Sequence, residues 1–217
     1  MKISKSTSKR SVARLGVVCL LSVLLSSCLK DNNKTYITPP AALVTFIQAS
    51  PDEPPLNFFL NNNRVNINPL GYGSQIDYFR AFTGHRTVNF YNSTTMATIL
   101  QDTVYLNANV TYSLFLANTA SHPEILLLTD SISRPASGKA TVRFVNLSPN
   151  APPVDLVNAG TTMVSNKAYK GFSSFLPVDG NKGYTFTVVQ HGTSTVLATL
   201  ANVNLNSNTV YTIWFHG

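Results

Sequence analysis

The sequence predicts an all-β chain: two tandem β-sandwich repeats behind a leader segment and a flexible tether. Three observations carry that expectation. One strand–corner–strand stretch occurs twice. From Ala42 onward, short apolar runs alternate with turn residues, and no window of about twelve residues shows a helical apolar stripe. Charged residues are only 12% of the chain, while Thr, Val, Asn, Tyr and Phe abound, as suits half-buried strands and Asn-rich turns.

Residues 1–27 form the leader. Five of the 16 Lys and Arg residues lie here (Lys2, Lys5, Lys9, Arg10, Arg14), ahead of any acid. The formal charge of +7 is therefore mostly a property of the leader. Beyond it 11 positive side chains face 9 negative ones with no basic block, so nucleic acid is not an expected partner. The apolar run Leu15–Leu25 is too short to span a bilayer, and a basic start before such a run is the secretory pattern. It ends in Leu25-Ser26-Ser27-Cys28, which resembles the bacterial lipobox. That resemblance implies cleavage before Cys28 and lipidation of its sulfur and new amino group. Cys19 leaves with the leader, so the mature chain would keep no thiol for a disulfide, a metal or a nucleophile. Residues 28–41, polar and ending near Pro39-Pro40, read as the lipidated Cys and its tether. The expected location is the bacterial cell envelope, at the outer membrane, with either face left open. The expected partner there is the membrane itself, through the lipid.

Residues 42–130 form the first repeat. Phe46–Phe58 is an apolar run, a Ser50-Pro51-Asp52 turn, a Pro54-Pro55 pair and a second apolar run. Ser before Pro is type I turn chemistry, and Asp52 can close an Asx turn on nearby amides. Strands are expected over Leu56–Leu60, Arg64–Ile67, Ile76–Phe82, Thr87–Tyr91, Thr98–Leu106, Tyr112–Leu116 and Glu124–Thr129. Residues 131–139, with Pro135 and Gly138, read as a linker.

Residues 140–217 form the second repeat. Phe144–Leu156 repeats the first stretch, with Ser148-Pro149-Asn150 as its corner. Thr87–Phe90 aligns with Tyr184–Thr187, and Leu106–Tyr112 with Leu205–Tyr211. A Leu six residues before Tyr112 and before Tyr211 resembles the tyrosine corner of immunoglobulin-like sandwiches, whose hydroxyl bonds to backbone a few residues upstream. Past these tyrosines, Phe115 and Trp214 fall on the second face of their strands, which suggests that this face is also covered. Glu124–Thr129 has no counterpart before Gly217, so the second repeat lacks a last strand or borrows one.

The Ser-Pro-(Asp/Asn) and Pro-Pro corner, the Gly183-Tyr184-Thr185 strand and the Asn-x-x-Tyr strand resemble the bacterial domain-of-unknown-function family 4397. The likeness covers nearly all of residues 42–217 and fits the second copy best. The first departs from it, with Asn57 in place of the acid kept as Asp155, and Gly84-His85-Arg86 in place of Gly-Tyr-Thr. The resemblance implies an extracytoplasmic β-sandwich, often tandem and lipid-anchored, and no catalytic residues.

The residues themselves point to no chemistry. His85, His122, His191 and His216 are isolated, with no second ligand at metal spacing, and no nucleophile-elbow or phosphate-loop pattern is present. No enzyme activity, cofactor or metal is expected. Asp102-Thr103-Val104 and Asp130-Ser131-Ile132 resemble an O-glycosylation signal of exported bacterial proteins. The candidate ligand contacts are the aromatics Tyr72, Tyr78, Phe82, Tyr169 and Phe172, a residue class that stacks on sugars or anchors protein partners. The chain thus reads as a non-catalytic binding or structural module of the envelope, with a glycan or an envelope protein as its ligand. Tyr72, Tyr78 and Tyr169 exposed in a row would favour a glycan. His85 or His191 against an acid in a pocket would favour a hydrolase.

Overall fold

Residues 39–216 are described by the computed structural model; the leader, Cys28 and most of the tether, with the expected lipidation, lie outside them. The described residues are all strand and loop. The first seven strands after the tether are β1 (Ala41–Gln48), β2 (Leu56–Leu60), β3 (Asn63–Arg64), β4 (Gln75–Phe82), β5 (Gly84–Asn92), β6 (Thr98–Leu106) and β7 (Thr111–Ala117). Next come β8 (Glu124–Thr129), β9 (Lys139–Asn146), β10 (Val154–Asn158) and β11 (Thr161–Lys167). The last four are β12 (Leu176–Asp179), β13 (Lys182–Gln190), β14 (Val196–Leu205) and β15 (Val210–Phe215).

They form four sheets. Sheet I has the order β4-β1-β7-β8, sheet II β3-β2-β5-β6, sheet III β12-β9-β15 and sheet IV β11-β10-β13-β14. Strand β1 runs parallel to β7 and antiparallel to β4, and β9 stands in the same relation to β15 and β12. Alternation decides which faces meet. Val44 and Phe46 on β1 turn inward with Leu114 and Leu116, onto Leu56, Phe58, Val88 and Phe90 of sheet II. Rings of Phe46, Phe58 and Phe90 meet at centroid distances of 4.9 to 5.2 Å. Sheets III and IV enclose a second core of the same plan, around Val142, Phe144, Leu156, Phe186 and Val188.

The outer faces of sheets I and III close on each other. Ile47, Phe115 and Leu128 from sheet I pack on Val145, Leu147 and the half-buried Trp214. This seam explains the apolar residues on both faces of β1, β7 and β9, since each of these strands serves two cores. A fully buried aromatic such as Phe115 contributes on the order of 2–3 kcal/mol through area removed from water.

Four local expectations need correction. The predicted strand Arg64–Ile67 shrinks to the two residues of β3. The Asn66 amide competes with the ladder: its Oδ1 accepts the Phe58 N–H at 2.7 Å and its Nδ2 donates to the Asn68 carbonyl at 2.7 Å, leaving Ile67 91% exposed. Asp52 closes no local Asx turn. The caps at the corners come from two residues upstream: Gln48 Oε1 accepts the Ser50 N–H at 2.7 Å and Asn146 Oδ1 the Ser148 N–H at 3.0 Å. Asp52 instead accepts the distant Ala120 N–H at 2.9 Å, and Asn150 is exposed. Strand alignment shifts by one, because Phe58 pairs Phe90 where Leu156 pairs Val188; Val88 thus corresponds to Phe186, not Thr185. Finally, β11 was not foreseen. It forms where the left-handed Ala159 (φ 47°) and Gly160 (φ 76°) turn the chain back onto β10.

At the other end of each half, the tyrosine hydroxyls bond to backbone. Tyr112 accepts the Asn107 N–H at 3.1 Å and Tyr211 accepts the Asn206 N–H at 2.9 Å. Asn109 (φ 60°) and Asn208 (φ 59°) take the left-handed conformation between them, which Asn tolerates better than most residues. In sheet I, β8 pairs with β7; among the described residues no strand pairs with the free edge of β15.

Candidate binding site

Two features organise the seam between sheets I and III: a buried polar network and an aromatic-lined cleft beside it. Arg143 points out of β9 into the seam, and Asp130 follows directly on β8. Their side chains are 2% and 0% exposed and meet at 2.5 Å. The other guanidinium nitrogen donates to Ser113 Oγ at 2.9 Å and Thr212 Oγ1 at 3.1 Å. The second Asp130 oxygen accepts the Tyr78 hydroxyl at 2.6 Å and Ser113 Oγ at 2.8 Å. The Phe175 ring lies 4.7 Å from the guanidinium carbon. Two unlike charges removed from water hold only when both are paired this fully. Burial and the Asp130 carboxylate together push the Tyr78 phenol well above its usual range, so it is a fixed donor.

Next to this network the sheets splay into a cleft of about 220 Å³. Tyr78, Phe115, Phe175 and Trp214 supply its aromatic walls, with Gln75 and Thr212 among its polar groups. Convergent aromatics with a few polar groups are the ordinary make-up of small-ligand sites, and this volume, below the usual ~300–1,000 Å³, suits one ring or one end of a ligand.

The five candidate aromatics fall in different places. Tyr72 (39% exposed) and Tyr78 (41% exposed) lie along the β4 side of the seam. The Tyr72 ring stands edge-on to Trp214 at 5.8 Å, and its hydroxyl bonds His216 Nε2. Burial lowers the His216 pKa and raises that of Tyr72. Phe172 is exposed and lines a second cleft with Thr129 and Arg143 on the β8 side. Tyr169 is half-buried there; its hydroxyl donates to Glu124 Oε1 at 2.5 Å while Lys170 pairs with Oε2. Burial would raise the Glu124 pKa, but the Lys170 and Tyr169 bonds outweigh it and the net shift is downward. Phe82, 61% exposed, stands apart at the end of β4. Tyr72, Tyr78 and Tyr169 therefore form no single row. Trp214, which joins Tyr78 and Phe175 in the cleft, comes from β15, and only the two-faced pattern of that strand signals it.

Among the histidines, His191 Nδ1 meets Asp155 Oδ1 at 2.9 Å. The same oxygen accepts the Asn166 N–H at 2.6 Å and Ser165 Oγ at 3.0 Å. A Ser–His–Asp relay needs the acid on one ring nitrogen and the hydroxyl on the other. Here Ser165 sits 3.5 Å from Nδ1 itself, so the cluster instead ties β10 to β11 and to the turn after β13. Its hydrogen bonds outweigh desolvation and hold the Asp155 carboxyl below its usual range. No group of three or more His, Cys, Asp or Glu among the described residues could hold a metal ion. Asp130, in the second glycosylation-like tripeptide, is committed to Arg143; Asp102, in the first, accepts the Thr103 N–H at 2.7 Å on an exposed strand.

Similar solved structures include the CBMbc module (family CBM26) of Eubacterium rectale Amy13K in complex with maltoheptaose. It has 9% identity and a TM-score of 0.28, over 82% of this chain and 92% of that one. The Bacillus anthracis TIE protein has 12% identity and a TM-score of 0.25, over 82% of this chain and 34% of that one. No curated protein matches the sequence. The family match runs over residues 42–157, from β1 through nearly all of β10. It therefore lies chiefly on the first half, where the sequence placed the better fit on the second. Matched over more than half its length, the chain belongs to the family described as Domain of unknown function (DUF4397).

Proposed function

We propose that this is a non-catalytic binding module of the bacterial envelope, built of two tandem immunoglobulin-like sandwiches and moored by a lipid on Cys28. The repeat reading is supported by the parallel β1–β7 and β9–β15 pairs and by the two tyrosine hydroxyls bonded five residues upstream. The mooring reading is supported by the leader and its Leu-Ser-Ser-Cys end. One observation carries the binding reading: the seam cleft gathers Tyr78, Phe175 and Trp214 around polar groups, on a base fixed by a buried ion pair. Flat apolar faces beside hydrogen-bonding groups match the alternating faces of a sugar ring, so a neutral glycan of the envelope or its surroundings is the ligand class it suits best.

An array of neutral glycans and matrix proteins, probed with the chain freed of its lipid, tests this. Retention of a glycan that is lost in Phe175→Ala and weakened in Tyr72→Ala supports the reading. Retention untouched by either change, or of a matrix protein alone, refutes the glycan assignment.

A further inference from the structure

The first half, residues 42–130, carries three cationic side chains: Arg64, Arg80 and Arg86. It contains no lysine, and it has six acids: Asp52, Glu53, Asp77, Asp102, Glu124 and Asp130. All three arginines line one cleft of about 330 Å³ at the open side of the first sandwich, together with the exposed ring of Phe82. None of the six acids lines it. Like charges gathered without a counter-ion repel one another, so the fold gains nothing by this arrangement alone.

Nor does the architecture demand it. Equivalent strand registers place Thr162 where Arg64 stands, Pro177 for Arg80, Tyr184 for Arg86 and Asp179 for Phe82. The second half builds the same sheets with no cation at any of these positions.

Two of the guanidiniums are held in place by neutral acceptors. One Arg64 nitrogen donates to Asn57 Oδ1 at 2.7 Å and the Ile67 carbonyl at 3.1 Å. Arg86 Nε donates to the Phe82 carbonyl at 2.8 Å and Nη2 to that of Thr83. These bonds, with the Phe82 ring centroid 6.0 Å from the Arg86 guanidinium carbon, fix geometry and supply no counter-ion. The Arg80 side chain makes no hydrogen bond or ion pair among the described residues. Val65 and Phe79 give the cleft an apolar floor.

We infer that this cleft is a binding site for an acidic saccharide, one whose ring carries a carboxylate or a sulfate. The guanidinium fork matches both groups, and an apolar ring face can lie on Phe82 and the floor. An extended polyanion such as nucleic acid or an anionic membrane would meet the surplus of acids on the rest of this half, whereas a single anionic ring enters the cleft alone. The site is separate from the seam cleft and does not depend on it.

Titration calorimetry on the chain freed of its lipid tests this with three probes: an oligogalacturonate, a sulfated chondroitin disaccharide and a neutral cellotetraose. One of the acidic probes is expected to bind, more weakly as salt rises. Arg80→Ala is expected to weaken binding about tenfold or more, the loss of one charge-assisted hydrogen bond. Arg80 has no internal partner, so this variant keeps the fold; Arg80→Glu is expected to abolish binding. Phe82→Ala should weaken the saccharide while leaving any binding of inorganic sulfate unchanged. Silence of both acidic probes, acidic-probe binding that survives Arg80→Glu, or neutral-tetraose binding that is lost in Arg80→Glu overturns the inference. Neutral-tetraose binding that is lost in Phe175→Ala but kept in Arg80→Glu reports on the seam, so each reading fails visibly by itself.

Discussion

The Arg143–Asp130 pair gives the sharpest test of how sheets I and III are joined. The two partners are not equally replaceable. With Arg143→Met, the Asp130 carboxylate keeps the Tyr78 and Ser113 hydroxyls at 2.6 and 2.8 Å. With Asp130→Ala, the guanidinium keeps two neutral hydroxyls at 2.9 and 3.1 Å and the Phe175 ring but no anion, and its Nε already lacks a partner. Breaking a buried pair costs about 3–5 kcal/mol, which places Asp130→Ala at the upper end, about 4–5 kcal/mol. Two surviving charge-assisted bonds bring Arg143→Met down to about 2–3 kcal/mol. The double variant buries no charge and should lie within about 2 kcal/mol of the parent, where independent effects would sum to about 6–8 kcal/mol. Urea unfolding followed by fluorescence reads this directly, because the chain's one tryptophan, Trp214, lies in the same seam. Additive losses in the double variant, or Asp130→Ala costing no more than Arg143→Met, would refute the reasoning.

Three further outcomes follow from the geometry. Tyr112→Phe strands a backbone N–H beside a buried ring and should cost about 1–2 kcal/mol, whereas Tyr211→Phe, at a more exposed site, should cost less than about 1 kcal/mol; thermal unfolding ranks them. Phe115→Ala empties a fully buried seam position and should cost about 3–5 kcal/mol by urea midpoint. Burial holds the His216 imidazole below its ordinary 6.5, so the unfolded chain takes up that proton first as pH falls. Its contribution is therefore complete above that value and declines as pH drops through the window toward the folded pKa. His216→Phe should flatten the stability curve as pH falls below about 6.5, and an unchanged slope would count against the assignment.

The strand content was written in the sequence because it depends on local period and composition. Glu124–Thr129 and Leu56–Leu60 match their predicted bounds to the residue, and Phe115 and Trp214 announced a covered second face. Bonds spanning five residues, such as Tyr112 to Asn107, are of the kind that spacing can encode. Longer ones are not. Nothing near Arg143 names Asp130 as its partner, because sheet packing alone brings the segment after β8 against β9. The grouping of Arg64, Arg80 and Arg86 depends likewise on three strands from two sheets. Asn66 misled the reading for a different reason: its side chain displaced backbone partners, an exchange that β-propensity does not weigh.

Asp130 belongs to the first half of the chain and its counter-ion to the second. A first half that folded ahead of its neighbour would show a greasy face around Ile47, Phe115 and Leu128 with a hydrated carboxylate beside it. Any stranger settling on that face without a cation would have to strip the water from this acid unaided, at several kcal/mol. The anion thus works as a password, admitting the surface that brings a guanidinium to the right place and turning others away.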